Sequence, residues 1–394
     1  MYQIIKNIPV WGEPLENAVT QAITCAKRAV SVALMADHHP GYAVPIGGVV
    51  AYEGYISPSG VGYDISCGNK AVLLDADASE VRANIKTIMD DVWREISFGI
   101  GRKNNERVDH ELFEDDPAWA IDVVKRQKKM AHEQLGTVGS GNHYVDLFVD
   151  EQERVWCGVH FGSRGLGHHL ASHYIQAGGG KDGMNVEPVL LAVDSQLGQE
   201  YLAAMALAGR YAYAGRDWVC QKVARIIGAQ ILDEVHNHHN FAWKEQHFGK
   251  ELWVVRKGAT PAFPGQRGFV GGTMGEPSVI LEGLDGEESQ LALNSTVHGA
   301  GRVLSRTQAT GKKRWKKGKA VYEGEGLVSR KMMMNWIREA GVELRGAGTD
   351  ESPHCYKRLS EVLAYHQNMI RVLHTLTPIG VAMAGEDEFD PFKD

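Results

Sequence analysis

The chain of 394 residues holds only five cysteines (25, 67, 157, 220 and 355), far apart and with no CxxC pair. That sparse, odd set argues against a disulfide framework and for reduced thiols and a cytoplasmic location. No run of 18 apolar residues occurs, which argues against a membrane-spanning helix. The opening MYQIIKNIPVWGEP lacks the apolar core of a signal peptide. The common phosphate cradles are missing too. There is no GxxxxGK[ST]; AGGGKDGM (177–184) has glycines and a lysine but no following Ser/Thr, and GSGNH (139–143) is not a G-x-G-x-x-G fingerprint. Net charge is 42 − 49 = −7, so a polyanionic partner has to be met by a local basic patch.

What is present in excess is histidine and glycine, 17 and 45 residues, often side by side. Hydrophobic residues make up 43% of the chain, enough for a large core. Helical periodicity predicts helices over 14–35, 80–96, 117–135, 190–232 and about 356–376. Strand patterns fall on GGVVAYEGYIS, VDLFVD, RVWCGVHF, KELWVVRKGAT and PSVILEGL. Strands and helices do not alternate regularly, so the expectation is one α+β domain over 1–385, with 190–232 as a helical insertion and 386–394 as an acidic tail.

Several glycine-flanked polar residues are candidates for chemistry. Asp64 and Cys67 lie in GVGYDISCG, His143 follows Asn142 in GSGNH, His160 ends VWCGV, and His239 belongs to the cluster His236-Asn-His-His-Asn240. A thiolate, a carboxylate and several imidazoles suit Mn²⁺, Zn²⁺ or Fe²⁺ rather than oxygen-seeking Mg²⁺ or Ca²⁺. Each alone also fits a satisfied core residue, and spacing does not decide between the two. NSTVHGAGR (294–302) sets His298 among glycines, as a nucleophile, a ligand or part of a turn. Just downstream, GKKRWKKGK (311–319) places Lys312, Lys313, Arg314 and Lys316 around Trp315, either a solvated loop or a nucleic-acid contact with a base to stack.

DISCG, LGTVGSGNH, HFGSRGLG, HHNFAWKEQHFG, RKGAT, GGTMGEPS, HGAGRVLSR and DESPHCYK, in that order from about Met35 to Val381, resemble the RtcB family of RNA-splicing ligases. The resemblance implies a single RtcB-like domain of β-sheets surrounded by helices. It also implies a ligase that uses Mn²⁺ and GTP to join RNA ends bearing a 2′,3′-cyclic phosphate or 3′-phosphate to a 5′-hydroxyl, through a guanylated histidine. That histidine falls on His298. The metal ligands fall on Asp64, Cys67, His143, His160 and His239, for two ions sharing the thiolate, with His236 and His238 on the surface or behind them. Asn142, Thr273, Ser278, Gly299, Ala300, Arg302 and Tyr356 fall in the nucleotide site, and Arg164 joins the basic stretch as an RNA contact. The implied partners are broken transfer or ribosomal RNA and an archease-like activator, with no DNA and no membrane.

Three positions depart from the family pattern. Met383 stands where a near-terminal lysine is usual, Asp146 replaces a glutamate, and Gly272-Thr-Met-Gly275 replaces a serine-containing loop. A Mn²⁺-dependent phosphoesterase that opens cyclic phosphates and ligates weakly is the alternative enzyme; a non-catalytic RNA-binding protein is the alternative outside enzymes.

Overall fold

The computed structural model describes residues 1–181, 183–316, 319–322 and 324–386, without the side chains of 313–323. Two sheets carry the site. The first has six strands in the order Tyr2–Ile5, Ile8–Trp11, Ser31–His39, Ile46–Tyr52, Lys250–Lys257 and Asn240–His247. The second has the path Ile231–His238, Gly68–Asp77, Arg154–Phe161, Tyr144–Asp150, Ile370–Gly385, Ser278–Gly283 and Arg267–Val270, with Glu343–Ala347 parallel to Ile370–Gly385. Its two end strands nearly close a barrel. The Phe269 N–H donates to Asn237 Oδ1 at 2.9 Å, and Asn69 Nδ2 donates to the Phe269 carbonyl at 2.8 Å. With helices packed around both sheets, the α+β architecture expected from the sequence is the one observed.

Helix boundaries follow local chemistry. Asp77 caps Ala78–Glu95 by accepting from the N–H groups of Ser79 and Glu80, and Ser195 caps Gln196–Ile227 by accepting from Gly198 N–H. That second helix stops at Gly228, whose φ of 80° suits glycine. It fills most of the expected 190–232 segment, although strand structure resumes at Ile231. Its buried face contributes Tyr201, Leu207, Tyr211 and Val219 to two adjoining cores.

Two expected helices are corrected. The 14–35 helix ends at Ala26, and Ser31–His39 is a buried strand paired with Ile46–Tyr52. Over 356–376 only Leu359–Ala364 is helical, and Ile370–Gly385 is a strand of 16 residues. In both, an apolar run long enough for either structure is drawn into a sheet by tertiary pairing. Pro378 is accommodated where the register slips between Pro378 and Gly380. The 117–135 segment breaks into Pro117–Ala120, Asp122–Lys125 and Lys128–Gln134. The strands expected at VDLFVD and RVWCGVHF form and pair as an antiparallel hairpin, with Tyr144–Asp150 buried throughout. The expected tail lies outside the described residues apart from Glu386.

Candidate active site

The candidate ligands meet because strand ends meet. Cys67 immediately precedes Gly68–Asp77, His143 precedes Tyr144–Asp150, and His160 lies one residue from the end of Arg154–Phe161. Register aligns Gly68 with Phe161 and with His238, and both Asn69 and Tyr144 with His160, so all three positions come to one end of the second sheet. His239 is the single residue between Ile231–His238 in one sheet and Asn240–His247 in the other. The chain crosses between sheets there, and the imidazole is left at the junction.

At that junction Cys67 Sγ is 3.1 Å from His160 Nε2 and 3.7 Å from His143 Nε2, and these three side chains could hold one ion. His143 Nε2 is 3.1 Å from Asp64 Oδ2, and the His160 and His239 rings are 5.0 Å apart. His143 Nδ1 lies 2.9 Å from the Val138 carbonyl. That contact turns Nε2 towards the Asp64 carboxylate and the Cys67 sulfur. His239 Nδ1 is buried and has no hydrogen-bond partner among the described residues. Burial, aided for His160 by His143 and His298 and for His239 by His298 and His160, holds both rings well below the usual histidine range, hence neutral. Burial and then the Asp64 charge push the Cys67 thiol well up. Burial opposes ionisation of Asp64, but its bond to His143 and the charges of His143 and Arg164 prevail, holding it at about 2. A carboxylate, a thiol and imidazole nitrogens converging on one space fit a cation, which would displace the protons now shared among them.

His298 follows the short strand Ser295–Val297, and its ring is 4.9 Å from that of His239. Its Nδ1 is 2.6 Å from Asp37 Oδ2, which also accepts from the His298 and Gly299 backbone N–H groups at 3.0 and 3.3 Å. Burial works against the Asp37 charge, but His298 holds the carboxyl below its usual range. The imidazole is thereby fixed with Nδ1–H on the carboxylate and the Nε2 lone pair available. The glycines make the approach possible. At Gly301, with φ of 78°, a Cβ would sit 2.3 Å from the Asp37 carbonyl. At Gly258, with φ of 61°, it would sit 3.1 Å from His298 Cε1.

His298 and the donor cluster open on one cleft of about 1660 Å³, larger than the roughly 300–1,000 Å³ of ordinary small-molecule sites, so more than one small ligand fits. Asn142, Thr273, Gly299, Ala300, Arg302, Tyr356, Arg164 and Met383 line it. Ser278 is buried, accepting from Gly272 N–H at 2.9 Å, and so braces the loop that presents Thr273. Arg302 donates to Tyr356 Oη at 2.8 Å, to the Asp350 carbonyl at 2.8 Å and to the Leu304 carbonyl at 3.1 Å, with its guanidinium over the Tyr356 ring. Arg164, at φ 55°, lays its guanidinium against Gly139, where a Cβ would clash at 2.1 Å. Lys312 is exposed, and Lys313, Arg314 and Lys316 belong to the strand Lys313–Lys316, their side chains outside the described set. Asp146 is buried, its Oδ1 has no hydrogen-bond partner among the described residues, and burial raises its carboxyl well above the usual range.

Sequence reasoning passed over Asp37 and Arg216. A charged residue inside the apolar run SVALMADHH was the available signal for the first. His236 and His238 lie behind the ligands rather than on the surface, both bonded by Arg216.

The family model described as tRNA-splicing ligase RtcB matches residues 19–124 and 116–384. An RNA-splicing ligase RtcB of Escherichia coli K12 is 30% identical, covering 95% of this chain and 97% of its own. A tRNA-splicing ligase RtcB of Thermococcus kodakarensis is 31% identical over 89% and 86% of the two chains, and one of Archaeoglobus fulgidus is 30% identical over 93% and 91%. Among the described residues no helix is long and apolar enough to cross a membrane. The chain belongs to the RtcB family.

Proposed function

We propose that this protein is an RNA ligase of RNA splicing or repair, joining 2′,3′-cyclic phosphate or 3′-phosphate ends to 5′-hydroxyl ends through a GMP–histidine intermediate on His298. The observation that carries the reading is the pairing of His298 Nδ1 with Asp37 at 2.6 Å, beside a donor cluster in the same cleft. The cluster fits Mn²⁺: Asp64, Cys67, His143, His160 and His239 would hold it, two ions in all, and it would supply Lewis acidity at phosphate oxygens.

His298 Nε2 attacks the α-phosphorus of GTP, forming an N–P bond as the P–O bond to pyrophosphate breaks. Asp37 keeps the proton on Nδ1 and balances the charge that grows on the ring. Arg302 and the backbone N–H groups of the 298–302 loop offset charge on the phosphate oxygens. Asn142, Thr273 and Tyr356 hold the nucleotide, with Ser278 bracing the loop that carries Thr273. A cyclic phosphate is opened by water, GMP passes from His298 to the 3′-phosphate, and the 5′-hydroxyl attacks that phosphate and releases GMP. Arg164 and the Lys312–Lys316 stretch hold the RNA backbone. Residues 1–385 act as one catalytic unit in the cytoplasm, on broken transfer or ribosomal RNA, with an archease-like activator.

The test is intact mass after incubation with GTP and Mn²⁺ at neutral pH, beside His298→Ala. One added GMP on the native chain alone is the expected result. No adduct on a chain that binds metal would overturn the nucleotidyl-transfer reading in favour of a cyclic-phosphate hydrolase.

A further inference from the structure

The helix Gln196–Ile227 supplies no candidate ligand, and none of its residues lines the cleft. Yet at its centre sits a fully buried arginine, Arg216. A guanidinium has five N–H donors and no acceptor, so its burial is costly unless the donors are used. No carboxylate is among its bonded partners. Nη1 donates to the Ser66 carbonyl at 3.0 Å and to the Phe161 carbonyl at 2.5 Å. Nη2 donates to His238 Nδ1 at 3.0 Å, and Nε to His236 Nε2 at 2.7 Å.

Three of these partners are sequence neighbours of candidate ligands. Ser66 precedes Cys67, Phe161 follows His160, and His238 precedes His239. The three come from separate segments, which no other side chain described above ties together. The helix is shaped to reach them. A Cβ on Gly209 would lie 3.4 Å from Ser66 Oγ, and one on Gly215 would lie 3.3 Å from Phe161. Tyr213, three residues before Arg216, packs its ring 3.9 Å from that of His236 and 4.2 Å from that of His238.

We propose that Arg216 is a positioning residue for the metal centre: one planar guanidinium sets the spacing of Cys67, His160 and His239 by bonding the residue next to each. The inference rests on the metal reading of the cluster. A lysine keeps the charge but, as a single point donor, does not span three segments. Partners behind metal ligands commonly change metal affinity 10–100-fold.

The experiment uses Co²⁺ as a spectroscopic probe on the full chain. Thiolate-to-cobalt charge transfer and the d–d bands are titrated in native protein, Arg216→Lys and Arg216→Met. Val223→Ala, on the same helix and buried, serves as a control for general destabilisation. The expected result is a fall of roughly 10–100-fold in Co²⁺ affinity for both Arg216 variants, with shifted or weakened bands, and native binding for Val223→Ala. Arg216→Lys decides alone where Arg216→Met does not fold. Native affinity and native bands in Arg216→Lys would overturn the proposal while leaving the metal reading standing. Native protein that binds no Co²⁺ would overturn both.

Discussion

Two clusters among the described residues bring ligand-type atoms equally close, and only one leaves them open to a metal. Cys67, His143 and His160 bring their ligand atoms within 4.8 Å of one another, and so do Asp150, Glu151 and His374. In the second group the lone pairs are already used. Asp150 accepts from the N–H groups of Gln152 and Arg154, from Arg154 Nε at 2.8 Å and from Trp156 Nε1 at 2.9 Å. Glu151 accepts from Thr375 N–H and pairs with His374 at 2.8 Å, while Arg154 Nη2 reaches the same imidazole. In the first group the ligand atoms bond mainly to one another and to Asp64 around a cleft, and among the described residues His239 Nδ1 beside them has no hydrogen-bond partner. Proximity of ligand types is therefore a weak criterion; unspent lone pairs are the strong one.

The largest effect should come from Cys67→Ala. It removes a sulfur within reach of both His143 and His160, and metal affinity should fall by more than the roughly 100-fold that a partner behind a ligand costs. Metal content by mass spectrometry and loss of the GMP adduct should move together. Full metal content in this variant would mean that the cluster is a core feature and not a centre.

Next in size is Asp37→Asn, which separates holding a metal from orienting a nucleophile. The amide keeps the shape of Asp37 but no longer balances the charge that develops on the His298 ring. Adduct formation should slow roughly 10²–10⁴-fold, by analogy with other carboxylate-oriented histidines. Metal content should stay native, because Asp37 does not touch the donor cluster. An adduct rate within a few-fold of native would remove Asp37 from the mechanism.

The contrast between the clusters also explains what could be read from the sequence. Cys67, His143, His160 and His239 were legible because each sits at an element end within two residues of a glycine or asparagine, where the family motifs also lie. Their convergence was not, since it depends on register between strands far apart in the chain, such as Asn69 opposite His160. Asp37 was hidden for the same reason as the strand that carries it: SVALMADHH reads as the end of a helix until it pairs with Ile46–Tyr52. The 370–385 strand failed similarly, because its apolar residues fit either period and only its neighbours, Tyr144–Asp150 and Ser278–Gly283, select the strand. Arg216 gave no local signal at all, since an arginine within a helix is ordinarily solvated and its burial is a tertiary fact.

The smallest effect, and the sharpest check on the comparison, is Asp150→Asn in the second cluster. Burial raises the Asp150 carboxyl, but the bonds from Trp156 and Arg154 prevail and hold it below the usual range. A depressed folded value means that its stabilisation is complete above the unfolded value of about 3.9 and is lost as pH falls from there through the folded value. Arg154 is one-third exposed, so solvent screening trims its share, whereas Trp156 and the two backbone donors are less affected. Asparagine forfeits the charge-assisted part of these bonds, at about 1–3 kcal/mol near neutral pH. Denaturant unfolding should show that deficit at pH 7, and it should shrink below about pH 4 as the native carboxylate is protonated. Metal content and the His298 adduct should match native protein throughout, because the Asp150 lone pairs serve the hairpin Tyr144–Phe161 and nothing in the cleft. Loss of metal from Asp150→Asn would show that counting spent lone pairs assigns the two clusters wrongly.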